Sequence, residues 1–232
     1  MAKEDNYSEL VTVLKKKSTF AESFRTIRTN IKFAMQDHGF QTMAVTSAGQ
    51  NEGKSTFASN IAVVFANSGL KTLLVDADLR KPSIASIFNI DGRDGLSTML
   101  SGMSSNIDDL VVSTNIDNLF LLPSGRRLIN PSEMFDSVYM DNIIEECKKY
   151  FDLVIFDTPP IGYVTDAQVI GTKVDGVVLV TKVNHTKKKA LIHAKDLLDA
   201  VNADIIGVVL NGIENDNSKY ATYSYYGYQN PA

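Results

Sequence analysis

Cysteine is almost missing from this chain: Cys147 is the single one among 232 residues. One thiol excludes a disulfide framework, and with no second cysteine it forms neither a redox pair nor a spaced zinc site. Cys147 follows Ile143 and Ile144 in a helical pattern, which predicts a small buried apolar side chain in a reducing compartment. The three histidines, His38, His185 and His193, show no metal-ligand spacing and read as structural or surface groups. Long apolar runs are also lacking. None approaches the ~18 residues that cross a bilayer, and no basic-then-apolar leader opens the chain, so a soluble, cytoplasmic protein is expected. Nor is basic charge in excess. A formal net charge of -4 offers no general attraction to phosphate backbones, which argues against nucleic acid as a partner. The runs Lys15-Lys16-Lys17 and Lys187-Lys188-Lys189 read as solvated faces.

What is present suits one globular domain with a core of its own: 44% of the residues are hydrophobic. From Ser18 to about His38, Phe20, Phe24, Ile27 and Ile31 recur at helical spacing, with Ser18 placed to cap, which predicts an amphipathic helix. Met43 to Thr46 reads as a buried strand, a glycine-containing loop follows, and Ser55 to Asn67 reads as a helix stopped by Gly69. Further short apolar runs predict strands at Thr72 to Val75, Leu119 to Leu122, Leu153 to Phe156, Gly176 to Val180 and Ile205 to Leu210. Another helix opens at Asn130-Pro131-Ser132-Glu133, where Asn can cap and Pro fits the first turn. Alternation of apolar strands with helices predicts an α/β fold, a mainly parallel central sheet with helices on both faces. The division expected is a domain over 1–213 and a flexible tyrosine-rich tail over 214–232.

Ala48-Gly49-Gln50-Asn51-Glu52-Gly53-Lys54-Ser55 has the spacing of a phosphate-binding P-loop, with alanine in place of the usual first glycine. Successive backbone N–H groups and the helix N-terminus cradle phosphate, Lys54 reaches the β and γ oxygens, and the Ser55 hydroxyl ligates magnesium. Thr56 would hold the α-phosphate region. Two acidic motifs accompany the loop. Asp76 and Asp78 end a strand two residues apart, so both can face the phosphates. Leu153 to Phe156 ends in Asp157-Thr158-Pro159-Pro160, a Walker B pattern whose aspartate can hold magnesium directly or through water.

Together these motifs resemble the deviant-Walker ATPases, the group that holds the ParA and MinD proteins and the bacterial tyrosine kinases. ParA and MinD proteins carry a signature lysine where this chain has Gly49, which turns the resemblance toward the kinases. The stretch Asp76-Ala77-Asp78-Leu79-Arg80-Lys81-Pro82 is similar to the Walker A′ motif of the CpsD and CapB type, which serves capsular and exopolysaccharide synthesis. Glu22-x-x-Arg25-x-x-Arg28 resembles that family's oligomerisation motif, with its charges neighbours on one helix face. The HRD and DFG signatures of eukaryotic protein kinases are absent.

The resemblance implies ATP and magnesium as cofactors and a homo-oligomeric ring, with an octamer as one form. It also implies a membrane-anchored activator of the chain-length-regulator type, whose cytoplasmic segment recruits the chain to the inner membrane face, and a cognate tyrosine phosphatase. Tyr220, Tyr223, Tyr225, Tyr226 and Tyr228, five of the nine tyrosines, cluster in the tail as candidate autophosphorylation sites. In this reading Lys54, Asp76, Asp78 and Asp157 are catalytic. Asp76 orients the tyrosine hydroxyl and takes its proton late, since carboxylate and phenol pKa values of ~3.9 and ~10 disfavour early transfer. Ser55, Asp78 and Asp157 serve magnesium. Asn211 resembles an adenine-contacting position, although Asn-Gly is also a common turn. Arg80 is left between phosphate and a subunit contact. Two other functions fit the motifs: an ATPase switch without kinase activity, and a nucleotide-binding adaptor of a polysaccharide-export complex.

Overall fold

The computed structural model describes residues 10–15, 17–36, 39–104 and 106–213. The predicted tail, with all five of its tyrosines, and His38 lie outside the described residues. In chain order the elements are α1 (Val11–Leu14), α2 (Thr19–Gln36), β1 (Thr42–Ser47), α3 (Lys54–Ala66), β2 (Thr72–Asp76), α4 (Ile84–Ile87) and α5 (Leu96–Leu100). Then follow β3 (Val112–Ser113), β4 (Leu119–Leu122), α6 (Pro131–Phe135), α7 (Val138–Tyr150), β5 (Leu153–Asp157), α8 (Asp166–Gly171), β6 (Gly176–Lys182), α9 (Lys188–Asp199) and β7 (Ile205–Asn211).

The strands form one seven-stranded sheet in the order β3-β4-β2-β5-β1-β6-β7. Every pairing is parallel except β3 with β4. β3 has no counterpart in the sequence reading because two residues, half buried and exposed, carry no alternation to detect. The other strands fall where continuous apolar runs predict them, and their side chains divide between two cores. Met43, Val45, Leu74, Leu153, Ile155, Val178 and Val180 face one core with α3. Ala44, Leu73, Val75, Val154, Phe156, Val177 and Leu179 face the other with α7, α8 and α9. Burial on both faces is why these strands are apolar throughout rather than alternating.

The N-terminal helix packs on α3. Ser18 caps it, its Oγ accepting the Ala21 N–H at 3.2 Å, and Phe24 stacks on Phe57 with ring centroids 5.8 Å apart. Phe20, expected on the inner stripe, is instead 52% exposed: Ala21 turns inward at the first helical turn, and Phe24 is the aromatic that meets α3. Another expectation also changes. Asn130 makes no capping bond to α6; its amide donates to Glu133 Oε1 at 3.3 Å, while Pro131 does take the first turn.

α1 is held by a buried polar link in place of apolar contacts alone. The Thr12 N–H and hydroxyl both donate to Asn60 Oδ1, at 3.1 and 2.9 Å, and the Asn60 amide donates to the Thr56 carbonyl at 2.8 Å. Asn60→Ala strips Thr12 of that acceptor inside the protein. The expected loss is about 1–3 kcal/mol of stability, read as a lowered urea midpoint with unchanged slope.

Candidate active site

β1, β2 and β5 end side by side, and the chain leaves them in different directions: β5 inserts between β1 and β2, and β6 and β7 add on the far side of β1. A crevice at such a switch point is where open parallel sheets bind ligands. The loop after β1 enters α3 through Asn51 at φ 60° and Gly53 at φ 88°. A Cβ on Gly53 would meet Asn211 Nδ2 at 2.2 Å, so the position requires glycine for both its backbone angle and its space. Because α3 starts at Lys54, the first N–H groups of the helix face the crevice without intrahelical acceptors.

The outer flank of this loop is braced by β6 and β7. The Asn211 amide donates to the Glu52 carbonyl at 3.0 Å, Thr186 Oγ1 donates to Glu52 Oε1 at 2.6 Å, and His185 Nε2 lies 3.1 Å from the Gln50 carbonyl. Glu52 is therefore a buried strut and Asn211 a brace on the P-loop backbone. The inner flank meets the loop after β5. Ile161 N–H donates to the Ser47 carbonyl at 2.9 Å, and a Cβ on Gly162 would sit 2.5 Å from the Ala48 carbonyl oxygen.

Between these loops stands Lys54. Its Nζ lies 2.8 Å from Asp78 Oδ2 and 3.6 Å from Asp157 Oδ1, and donates to Ser55 Oγ at 3.0 Å. Burial pulls the ammonium's pKa down, but the charges of Asp157 and Asp78 outweigh it and hold the group above its ordinary value. Asp76 and Asp157 are register partners on β2 and β5, both fully buried. Asp76 Oδ2 accepts the N–H groups of Ser83 and Ile84, each at 3.0 Å. Asp76 Oδ1 and both oxygens of Asp157 have no hydrogen-bond partner. Burial, then the neighbouring Asp157 charge, pushes Asp76 up to about 7; burial, opposed by Lys54, raises Asp157 as well.

A cleft of about 400 Å³ opens on this cluster, lined on one side by Gln50, Asn51, Gly53, Lys54, Ser55, Thr56 and Asp78. Asp76 and Asp157 stand behind that wall, and Gly49, Glu52 and Asn211 support the loop from outside the lining. The unpartnered carboxylate oxygens beside Lys54 fit a cation held partly through water. A donor set of one or two carboxylates completed by phosphate and water is the kind that magnesium takes. Glu22, Arg25 and Arg28 are remote from the cleft: Arg25 pairs with Glu22 at 2.5 Å, and Arg28 donates to the Val64 carbonyl at 3.3 Å. Val64 lies near the opposite end of α3, about 15 Å from Lys54 at ~1.5 Å per residue.

Two features escaped the sequence reading. Arg80 is clamped on Asp166, Nε to Oδ2 at 2.8 Å and Nη2 to Oδ1 at 2.9 Å, and Ser132 Oγ adds a 2.5 Å bond to Asp166 Oδ1. No motif spacing links residues 80, 132 and 166, which only the fold brings together. The other is the far wall of the cleft, formed by Ile87, Pro159, Pro160, Tyr163 and Val164.

The fold and the site define a nucleotide-binding protein of the P-loop class. A family model described as an AAA domain matches residues 40–204, and the chain belongs to that family. Within it the chain is similar to the tyrosine-protein kinase YwqD of Bacillus subtilis (strain 168), 41% identical over 94% of this chain and 91% of the relative. It is 38% identical to the putative tyrosine-protein kinase CapB of Staphylococcus aureus over 97% of this chain and 98% of the relative. Among solved structures, the chimerical protein CapA2B2 superposes with a TM-score of 0.84 at 39% identity, covering 89% of this chain and 90% of that one. The chain is a member of the bacterial tyrosine-kinase family.

The Asp76 environment makes stability depend on pH. A folded-state pKa raised to about 7 means that the carboxyl's contribution is complete below its unfolded value and is lost as pH rises through the folded one. Asp76→Asn keeps an oxygen for the Ser83 and Ile84 N–H groups and removes the charge. Its melting temperature is expected to match the parent near about pH 4 and to exceed it by several degrees near about pH 8, in the nucleotide-free protein, by scanning calorimetry.

Proposed function

We propose that this chain is an ATP-dependent protein-tyrosine kinase that phosphorylates the cluster Tyr220, Tyr223, Tyr225, Tyr226 and Tyr228 of its own tail. The single observation that carries the reading is Lys54 at the P-loop helix start, held within 2.8 Å of Asp78 and 3.6 Å of Asp157. A cation already aligned against the carboxylates of the two neighbouring strands is placed to move onto phosphate oxygens, which is most of what phosphoryl transfer asks of a protein.

Lys54 exchanges Asp78 for the β- and γ-phosphates, and the N–H groups of the loop and of Ser55 and Thr56 hold the remaining oxygens. Ser55, Asp78 and Asp157 are the side chains that would hold magnesium, which when bound neutralises charge on the β- and γ-phosphates. Asp76 is assigned the tyrosine hydroxyl proton. What supports this is its unpartnered Oδ1 and a proton affinity raised by burial, which narrows the gap to a phenol. Asn211 acts through the loop it braces, with adenine beyond it.

Phosphorylation between neighbours requires an assembly. Glu22, Arg25 and Arg28 lie on α2 away from the cleft, and a ring contact there would bring one subunit's tail to the next subunit's site. A membrane-anchored activator of the chain-length-regulator type and a tyrosine phosphatase would set the phosphorylation level, in control of exopolysaccharide synthesis and export. Among the described residues no helix is long and apolar enough to cross a membrane, consistent with recruitment through such a partner.

The test is phosphosite mapping by mass spectrometry after incubation with ATP and magnesium, with and without the activator's cytoplasmic segment, beside Lys54→Met. Tail phosphotyrosine is expected in the parent, with a loss of at least about 100-fold in Lys54→Met, the scale seen for removing one charge-stabilising group. Unmodified tails with ATP still hydrolysed would instead point to an ATPase switch.

A further inference from the structure

The cleft has two unlike walls. One is the phosphate side already described; the other carries an apolar patch, made by Ile87 on α4 and by Pro159, Pro160, Tyr163 and Val164 after β5, with Arg80, Lys81 and Ser83 completing the lining. These residues follow the two strands that carry Asp76 and Asp157, so the apolar wall stands on the carboxylate side of Lys54. In-line transfer requires the acceptor oxygen to approach opposite the leaving oxygen of the phosphoryl group.

Tyr163 is the unusual member. The residue is 65% exposed, yet its turn is firmly seated. The Tyr163 N–H donates to the Pro160 carbonyl at 3.2 Å and Ile161 N–H to the Ser47 carbonyl at 2.9 Å. Gly162 passes so close to Ala48 that a Cβ would stand 2.5 Å from its carbonyl oxygen. A large aromatic held half in water on a fixed turn, beside two prolines and an isoleucine, offers a flat apolar face at little ordering cost.

We infer that this wall is the subsite for the ring of the acceptor tyrosine, with Tyr163 as its stacking platform and a specificity-determining residue. The inference rests on the kinase reading above and adds the place where the substrate side chain sits. The incoming ring lies against Tyr163 and Pro160, and its hydroxyl points toward the carboxylates around Lys54, where Asp76 takes its proton. Phenylalanine fits the same surface without being phosphorylated, whereas aliphatic and small residues lose the stacking.

The experiment uses a synthetic peptide of residues 217–230 as acceptor. Tyr163→Ala is expected to raise the peptide KM about 5- to 10-fold, the scale of one aromatic pair, while Mg–ADP affinity stays within about twofold and Tyr163→Phe behaves as the parent. The chain contains 0 tryptophans, so Tyr163→Trp places a single fluorophore on the wall. Its emission should shift with the tyrosine peptide and with a tyrosine-to-phenylalanine version, and not with a tyrosine-to-alanine version. An unchanged peptide KM in Tyr163→Ala, an equal loss of Mg–ADP affinity, or phosphate found on Tyr163 itself would overturn the inference. A parent protein that, with the activator's cytoplasmic segment present, phosphorylates neither its own tail nor the peptide would overturn the kinase reading instead, and the fluorescence titration would still decide whether the wall binds aromatic rings.

Discussion

One half-buried cation among carboxylates organises this molecule. Lys54 begins α3 and reaches Asp157, the last residue of β5, and Asp78, two residues past the end of β2. The loops after β1, β2 and β5 are tied by backbone bonds, Ile161 N–H to the Ser47 carbonyl and Ala77 N–H to the Asp157 carbonyl; the shared charge links all three at one point. Removing charges from water is costly, and attraction repays it only with close geometry and further hydrogen bonds. Here the balance is incomplete: Asp76 Oδ1 and both Asp157 oxygens lack a hydrogen bond, although Lys54 stands 3.6 Å from Asp157 Oδ1. The cluster holds its loops together while retaining unmet acceptor capacity at the place where phosphate and a divalent cation would arrive.

The surrounding fold supports that arrangement at successive distances. Register pairing of Asp76 with Asp157 sets two carboxylates side by side. The Ser83 and Ile84 N–H groups fix one of them, and the Lys81 N–H donates to Asp78 Oδ1 at 3.0 Å. Arg80, clamped on buried Asp166, then ties the intervening loop to α8. On the other flank Glu52 and Asn211 keep the P-loop against β6 and β7. Groups placed on these loops thus gain the precision of the sheet beneath them.

Much of this was legible in the residues. Phosphate loops have a local spacing, and Asp76, Asp78 and Asp157 end apolar strands, so strand, loop and acid could be read without neighbours. Continuous apolar runs indicated a sheet covered on both faces, as β1, β2, β5 and β6 are. What could not be read is what depends on juxtaposition. Ser132 and Asp166 gain their roles from a clamp on Arg80 that closes across 86 residues of chain. Tyr163 looks like one more loop tyrosine until the turn of Gly162 against Ala48 sets it on the cleft. Phe20 kept the helical period of its stripe and still faces water, because periodicity gives a direction around the axis and not where along the helix the neighbour begins.

The most direct measurement is a double-mutant cycle by urea denaturation of the nucleotide-free protein: parent, Lys54→Met, Asp157→Asn and the pair together. If the buried charge cluster holds the three loops in place, Lys54→Met leaves carboxylates uncompensated and costs about 3 kcal/mol, and adding Asp157→Asn restores most of that loss. Equal stability of Lys54→Met and the parent, or strictly additive losses in the pair, would contradict it.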